Sequence, residues 1–331
     1  MHFSLIIPIY NRPDEIDELL ESLTKQTFSN NYEIVIIEDG SAITCKHIIE
    51  KYSDLNVSYY FKPNSGPGDS RNYGMNVAKG DYFIILDSDC IIPSTYLQTV
   101  HEELSTDYVD CFGGPDAALD SFSNIQKAIN FTMTSFLTTG GIRGGSEKLD
   151  KFQPRSFNMG LSKKAFEVSK GFGNIHPGED PDLSIRLWKM GYKTKLITKA
   201  FVYHKRRIDW NKFYIQVNKF GLARPILNSW YPEYTKITFW FPTLFLLGFL
   251  FSVLCLIFSF PYFLYCYVFY FLMLFISSLL KNKSLEIALY TIIAAVIQFY
   301  GYGKGFLLSF IKIHILKQQP EIAFPKLLFK K

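Results

Sequence analysis

Four short polar clusters in the first 90 residues have the composition of a phosphate-ligand site. They are Pro8-Ile9-Tyr10-Asn11-Arg12, Glu38-Asp39-Gly40-Ser41, Asn64-Ser65-Gly66-Pro67-Gly68-Asp69-Ser70-Arg71-Asn72 and Asp87-Ser88-Asp89. Two carboxylates one residue apart, Asp87 and Asp89, offer hard oxygen ligands to Mg2+ or Mn2+, which in turn bridges phosphate oxygens. The Gly-rich run entering a helix at Ser70 presents backbone N–H groups, and Arg71 adds positive charge. Asp39 is suited to accept from a base or ribose, and Tyr10 to stack on the base. Taken singly, each cluster also reads as a turn or a helix cap. Four in succession read as one site for a nucleoside diphosphate and a divalent metal.

The second half adds a base. In Gly178-Glu179-Asp180-Pro181-Asp182-Leu183, Asp180 is a good N-cap with Pro181 at the first helical position. Beside a metal–diphosphate site, the same carboxylate can instead deprotonate an acceptor hydroxyl. Glu179, Asp180 and Asp182 crowd like charges and so raise at least one pKa. His204, between the apolar run 200–203 and Lys205-Arg206-Arg207, is a further metal ligand, with the basic triplet near phosphates or lipid headgroups.

The elements that must position these groups alternate. Strands are expected at 3–9, 33–37, 57–61, 82–86 and 109–112, with helices at 13–26, 44–52, 69–79 and 94–104. That alternation specifies an α/β fold, a mostly parallel sheet with helices on both faces. Ligands then collect outside the carboxyl ends of the strands, where the four clusters fall. A dinucleotide fold would need Gly-x-Gly-x-x-Gly after the first strand, where Tyr-Asn-Arg-Pro stands, and no Gly-Lys-Ser/Thr phosphate loop is present.

Composition divides the chain. Of its 331 residues, 48% are apolar, and the formal net charge is +5. From residue 237 onward eight Lys face two Glu, whereas residues 1–236 carry a net −1, so the basic excess belongs to an apolar tail. This pattern suits a membrane partner and excludes a nucleic-acid-binding face. Residues 237–280 contain no ionisable Asp, Glu, Lys, Arg or His, enough for two spans at about 237–259 and 262–280, broken near Pro261. A third apolar segment, 287–311, is interrupted by Gly301, Gly303, Lys304 and Gly305. The N-terminus does not read as a signal peptide, which places residues 1–208 in the cytosol. Lys281 and Lys283 agree, but three full crossings would put Lys326, Lys330 and Lys331 outside. Five Cys without a CxxC pair are expected as reduced thiols.

On these motifs, together with Ser70-Arg71-Asn72-Tyr73-Gly74, residues 1–210 resemble glycosyltransferase family 2 with the GT-A fold. The resemblance implies a nucleotide-sugar donor, a divalent metal (Mg2+ or Mn2+) and an inverting displacement at the anomeric carbon. It implies that Pro8, Tyr10, Asn11, Arg12, Glu38, Asp39, Arg71, Asp87 and Asn158 bind the donor, with Asp39 on the nucleobase and Asp87 on the ribose or sugar. Asp89, Asp87 and His204 would hold the metal, and Asp180 with Glu179 would carry catalysis. Asp182, Gln216 and Lys219 are acceptor-side candidates, since Gln216-Val217-Asn218-Lys219-Phe220 resembles a Gln-x-x-Arg-Trp element with Lys and Phe substituted. Segment 209–222 carries Trp210, Phe213, Tyr214, Val217 and Phe220 at helical spacing. It is expected as an interfacial helix on the bilayer, with an ordinary packed helix as the alternative. The resulting organisation is a catalytic domain (1–208), an interfacial helix and linker (209–236), a transmembrane region (237–311) and a basic tail (312–331). The expected protein is an inner-membrane enzyme with a cytosolic catalytic domain and a lipid-linked or cell-surface glycan acceptor. A processive synthase, a polyprenyl-phosphate sugar synthase and a catalytically dead membrane scaffold are the alternatives. Residues 140–152, rich in Gly and charge, are read as a lid.

Overall fold

The computed structural model describes residues 1–117, 119, 121–139, 152–205 and 209–329, and the expected lid falls almost wholly outside them. These residues form two compact units, one containing residues 1–117, 152–205 and 328–329, the other 119–139 and 209–327.

In the first unit, ten strands follow the chain: β1 (Phe3–Ile9), β2 (Tyr32–Asp39), β3 (Val57–Lys62), β4 (Tyr82–Leu86), β5 (Cys90–Ile91), β6 (Cys111–Gly113), β7 (Asp116–Ala117), β8 (Asn158–Ser162), β9 (Thr194–Leu196) and β10 (Val202–His204). A seven-stranded sheet runs β3-β2-β1-β4-β8-β6-β9. β8 lies antiparallel between β4 and β6, and the other neighbours are parallel. Both faces are covered, as continuous apolar strands require. Phe3, Leu5, Ile7 and Ile9 pack with Ile16, Leu19, Leu97 and Val100 on one face. Ile6, Val35, Phe83 and Ile85 pack with Met75, Leu183 and Leu187 on the other. The strand order reverses between β1 and β4, and the crevice at that switch point is where Arg12 and Asp87–Asp89 emerge.

A smaller three-stranded sheet, β5-β10-β7, closes the same region. Its register sets His204 opposite Cys90. Arg155 bridges back to Asn158 across a turn, and β8 begins there.

The second unit is helical. Helices at Asn124–Thr134, Trp210–Trp230, Phe241–Ile257, Tyr262–Asn282 and Leu285–Phe310 form it. Three segments are long and apolar enough to cross a membrane, Ile237–Ile257, Tyr262–Asn282 and Leu285–Ile315. The glycines expected to interrupt the last do not. They let other helices approach, and a Cβ at Gly305 would stand 2.5 Å from the carbonyl of Asn218. The stripe expected to face lipid on 209–222 is also partly internal. Phe213 and Val217 are buried with Ile129, Met133 and Ala294, so that part of the stripe packs inside the unit.

Candidate active site

The end of β1 is stapled to the loop after β2. Asn11 takes a positive φ of 54° and its side-chain oxygen accepts from Ala42 N–H at 2.7 Å, while its own N–H donates to Ser41 Oγ at 2.7 Å. Tyr10 is 52% exposed at the strand end, and Pro8 lies within β1. Glu38 is fully buried and accepts from Cys45 N–H at 2.8 Å and from Ser41 Oγ. Asn11 and Glu38 therefore shape this edge through internal bonds.

Asp39 is similarly engaged. It accepts from Lys62 Nζ at 2.6 Å, the N–H groups of Ser65 and Gly66 at 3.0 Å each, and Asn64 Nδ2 at 3.3 Å. Those four donors fill the acceptor capacity of a carboxylate. Gly66 sits at φ +95°, and a Cβ there would be 2.7 Å from the ring of Phe329. Phe329 in turn donates its N–H to Asn174 O at 2.9 Å, Leu328 bridges to Ile175, and the Phe329 ring lies 6.4 Å from that of His176.

Arg71 is the hub of the charged network. It is 3% exposed, with Nη2 2.7 Å from Asp87 Oδ1 and Nη1 3.2 Å from Glu179 Oε1. Its guanidinium lies 5.3 Å from the Phe172 ring centre. Burial works against that charge, but Asp87, Glu179 and Asp180 more than offset it and raise its pKa. Expected as a cation for phosphate, Arg71 instead has its charge matched by carboxylates of the protein. Asp87, expected among the metal ligands, is held by Arg71.

Glu179 and Asp180 open the helix Glu179–Lys189 after Gly178, whose φ is 128°. Adjacent in sequence, they are driven apart electrostatically. Burial disfavours charge on both. On Glu179, His176 at 2.8 Å and Arg71 outweigh it and hold the carboxyl down to about 2. On Asp180, burial and the negative charge of Glu179 together push it up to about 6, against the weaker pull of Arg71, Arg155 and Ser156. Asp180 Oδ1 is buried without a hydrogen-bond partner among the described residues. Two neighbouring carboxyls thus carry different assignments, one permanently charged, the other titrating near neutrality. Asp182 is committed elsewhere, paired with Arg186 at 2.7 and 3.0 Å.

Asp89 occupies a second cluster. Its Oδ2 lies 3.2 Å from Arg12 Nη1, and Oδ1 lies 3.2 Å from His204 Nε2. Burial opposes the charge of Arg12, but Asp89, Glu15 and Asp87 hold its pKa above the ordinary value. The His204 ring stacks on Phe157 at 4.6 Å, with Asp116 Oδ2 3.9 Å from its Nδ1. Asp89, Cys90 and His204 present donor atoms within 4.8 Å of one another. A carboxylate oxygen with an imidazole nitrogen suits Mn2+ better than Mg2+, which takes oxygen ligands, and the Cys90 sulfur adds a softer donor.

The remaining candidates lie outside this constellation. Asn158 is fully buried, accepting from Tyr96 OH at 2.5 Å and donating to Ala200 O at 2.8 Å, so it ties β8 into the core. Gln216 and Lys219 lie on the helix Trp210–Trp230 of the second unit. Arg206 and Arg207 lie outside the described residues. Sequence reasoning missed His176 and Cys90. The first is three residues before Glu179, in the turn that leads into its helix, and the second directly follows Asp89.

The family model described as "Glycosyl transferase family 2" matches residues 4–170. Poly(ribitol-phosphate) beta-N-acetylglucosaminyltransferase TarS of Staphylococcus aureus is 40% identical over 93 residues, 27% of this chain and 16% of that protein. Glycosyltransferase GlyA of Streptococcus pneumoniae is 31% identical over 232 residues, 69% of this chain and 32% of that protein. The chain thus matches less than a third of the length of either relative. The structure of mannosyltransferase PcManGT from Pyrobaculum calidifontis, solved with GDP-Man and Mn2+, shares the fold at a TM-score of 0.56 and 14% identity, covering 96% of this chain and 88% of that one.

Proposed function

Because this chain belongs to glycosyltransferase family 2, we propose that it is a membrane-anchored inverting enzyme. It moves a sugar from a nucleotide-diphospho-sugar to a lipid-linked or cell-surface glycan acceptor, at the cytosolic face of the cell membrane. One observation carries the reading. Asp180 offers a buried, unpartnered carboxylate oxygen, titrating at about 6, beside a fixed cation and a permanently charged Glu179. That is the environment of a general base operating near neutral pH.

Asp180 takes the proton of the acceptor hydroxyl, which attacks the anomeric carbon on the face opposite the departing nucleoside diphosphate. Arg71 keeps Asp87 and Glu179 in place and leaves Asp180 as the adjustable carboxyl. Asp39 holds the loop Asn64–Gly66 that walls the nucleotide side. Asp89 and His204 are the residues that would hold a divalent cation, which supplies Lewis-acid charge to the diphosphate. The three long apolar helices support a membrane-borne acceptor over a soluble one.

The test uses the purified full chain with UDP-, GDP- and dTDP-sugars and Mn2+ or Mg2+, beside Asp89→Ala and Asp180→Asn. Metal-dependent release of nucleoside diphosphate from one donor, lost in both variants, identifies the donor and supports the roles. No binding of any nucleotide sugar would remove the enzyme and leave a scaffold.

A further inference from the structure

We infer that the chain crosses the membrane twice and that the third apolar helix does not cross. Instead, Leu285–Ile315, with the helices Asn124–Thr134 and Trp210–Trp230, forms a platform seated on the headgroup region of the leaflet facing the catalytic unit. The inference rests on the membrane-anchored part of the reading above, not on the reaction.

Chain continuity carries it first. The catalytic unit is left after residue 205 and re-entered at Leu328, which bridges to Ile175, while Phe329 exchanges hydrogen bonds with Asn174 in both directions, at 2.9 and 3.2 Å. Residues 328–329 therefore lie on the same side of the membrane as the catalytic strands. Only an even number of crossings between residues 205 and 328 satisfies this. Ile237–Ile257 and Tyr262–Asn282 are joined by four residues, Phe258 to Pro261, and make a natural hairpin.

A second observation comes from the partners of the third helix. The excursion 119–139 leaves the catalytic unit and carries no segment long enough to span. Even so, it runs along the third helix: Asn124 Nδ2 bonds Glu286 Oε2 at 2.7 Å, Thr132 Oγ1 bonds Thr291 O at 3.4 Å, and Gln298 Nε2 bonds Thr138 O at 3.5 Å. Accordingly, 39% of the third helix's most apolar stretch is made of buried residues, against 11% for each of the other two. Its 31 residues would extend about 46 Å, well beyond a hydrocarbon core of about 30 Å.

Charge agrees independently. With two crossings, Lys281, Lys283, Lys304, Lys312, Lys317 and Lys326 all face the cytosol, and only the uncharged turn at 258–261 is outside. Three crossings would export Lys312, Lys317 and Lys326, and would set Lys304, exposed on its helix, within the lipid. On a platform, these Lys meet anionic headgroups while apolar neighbours such as Leu289 and Ile293, 52% and 43% exposed, dip into the leaflet.

The experiment labels single added cysteines on intact cells with a membrane-impermeant maleimide, with the unmodified chain giving the background of its five native thiols. Ser259→Cys should label from outside, and Ser284→Cys and Lys317→Cys only after permeabilisation. Labelling of Lys317→Cys from outside would establish three crossings and overturn the inference. Protection of all three positions would place the hairpin on one side and overturn it too. Protease protection of an epitope placed after Lys331 gives a second reading in a chain with no substitution. Neither measurement needs turnover, so a missing donor activity would leave this inference standing.

Discussion

Replacing Asp180 by Asn should make the protein more stable and catalytically inert at once. The carboxyl is raised from an ordinary 3.8 to about 6, first by burial and then by the charge of Glu179. A folded-state pKa above the unfolded one means that the folded form keeps a proton which the unfolded chain releases between about pH 4 and 6. Stability is therefore full below that window, falls as pH rises through it, and stays lower above it. A rise of about two pH units corresponds to at most about 3 kcal/mol, an upper figure because the residue is only half-buried. Asn keeps the shape and removes the charge. Thermal unfolding of the two proteins in detergent at pH 4, 5, 6 and 7.5 should show no difference at the acid end and a variant melting several degrees higher at pH 7.5. In parallel, wild-type kcat/KM should fall about tenfold per pH unit below pH 6, and the variant should lose about 10^2–10^4 in kcat. An Asn variant that melts lower at pH 7.5, or a gap that ignores pH, would refute the electrostatic account. A variant with ordinary turnover would refute the base.

The metal cluster makes a separable prediction. His204→Ala should weaken Mn2+ binding, read by paramagnetic resonance, about tenfold or more, whereas Cys90→Ser should leave Mn2+ binding intact and reduce affinity for Zn2+ or Cd2+, ions that favour sulfur. Equal loss of Mn2+ in both would make Cys90 an equal partner. Phe329→Ala removes the ring that lies over Gly66, and so loosens the loop gripping Asp39. Donor KM should rise roughly tenfold with kcat within about twofold, and Phe329→Leu should restore most of it. An unchanged KM would mean that the tail packs there without positioning anything.

The parallel strands of the catalytic unit were legible because their runs, such as 33–37 and 82–86, are continuous and rich in Ile, Val and Phe, as strands covered on both faces must be. β8 was not, since Asn-Met-Gly-Leu-Ser has no such signature. It is a strand because β4 and β6 offer it hydrogen bonds on both sides. The same holds more strongly for β5, β7 and β10, two or three residues each, which no local pattern announces. These short strands nevertheless decide the site. They bring His204 opposite Cys90, and so to Asp89, from more than a hundred residues away, and set Asp116 behind it.

Residue types at strand ends thus reveal which groups belong to a site, but not how their charges are distributed among them. Arg71 looked like a free cation and Asp39 like a free acceptor. Folding gives the first two carboxylates and the second four donors, because a buried charge persists only where opposite charge or hydrogen bonds replace water. Asp180 departs from that rule. One of its carboxylate oxygens is buried without a hydrogen bond, its pKa is raised to about 6, and a group left in that condition is the one poised to exchange a proton with a substrate.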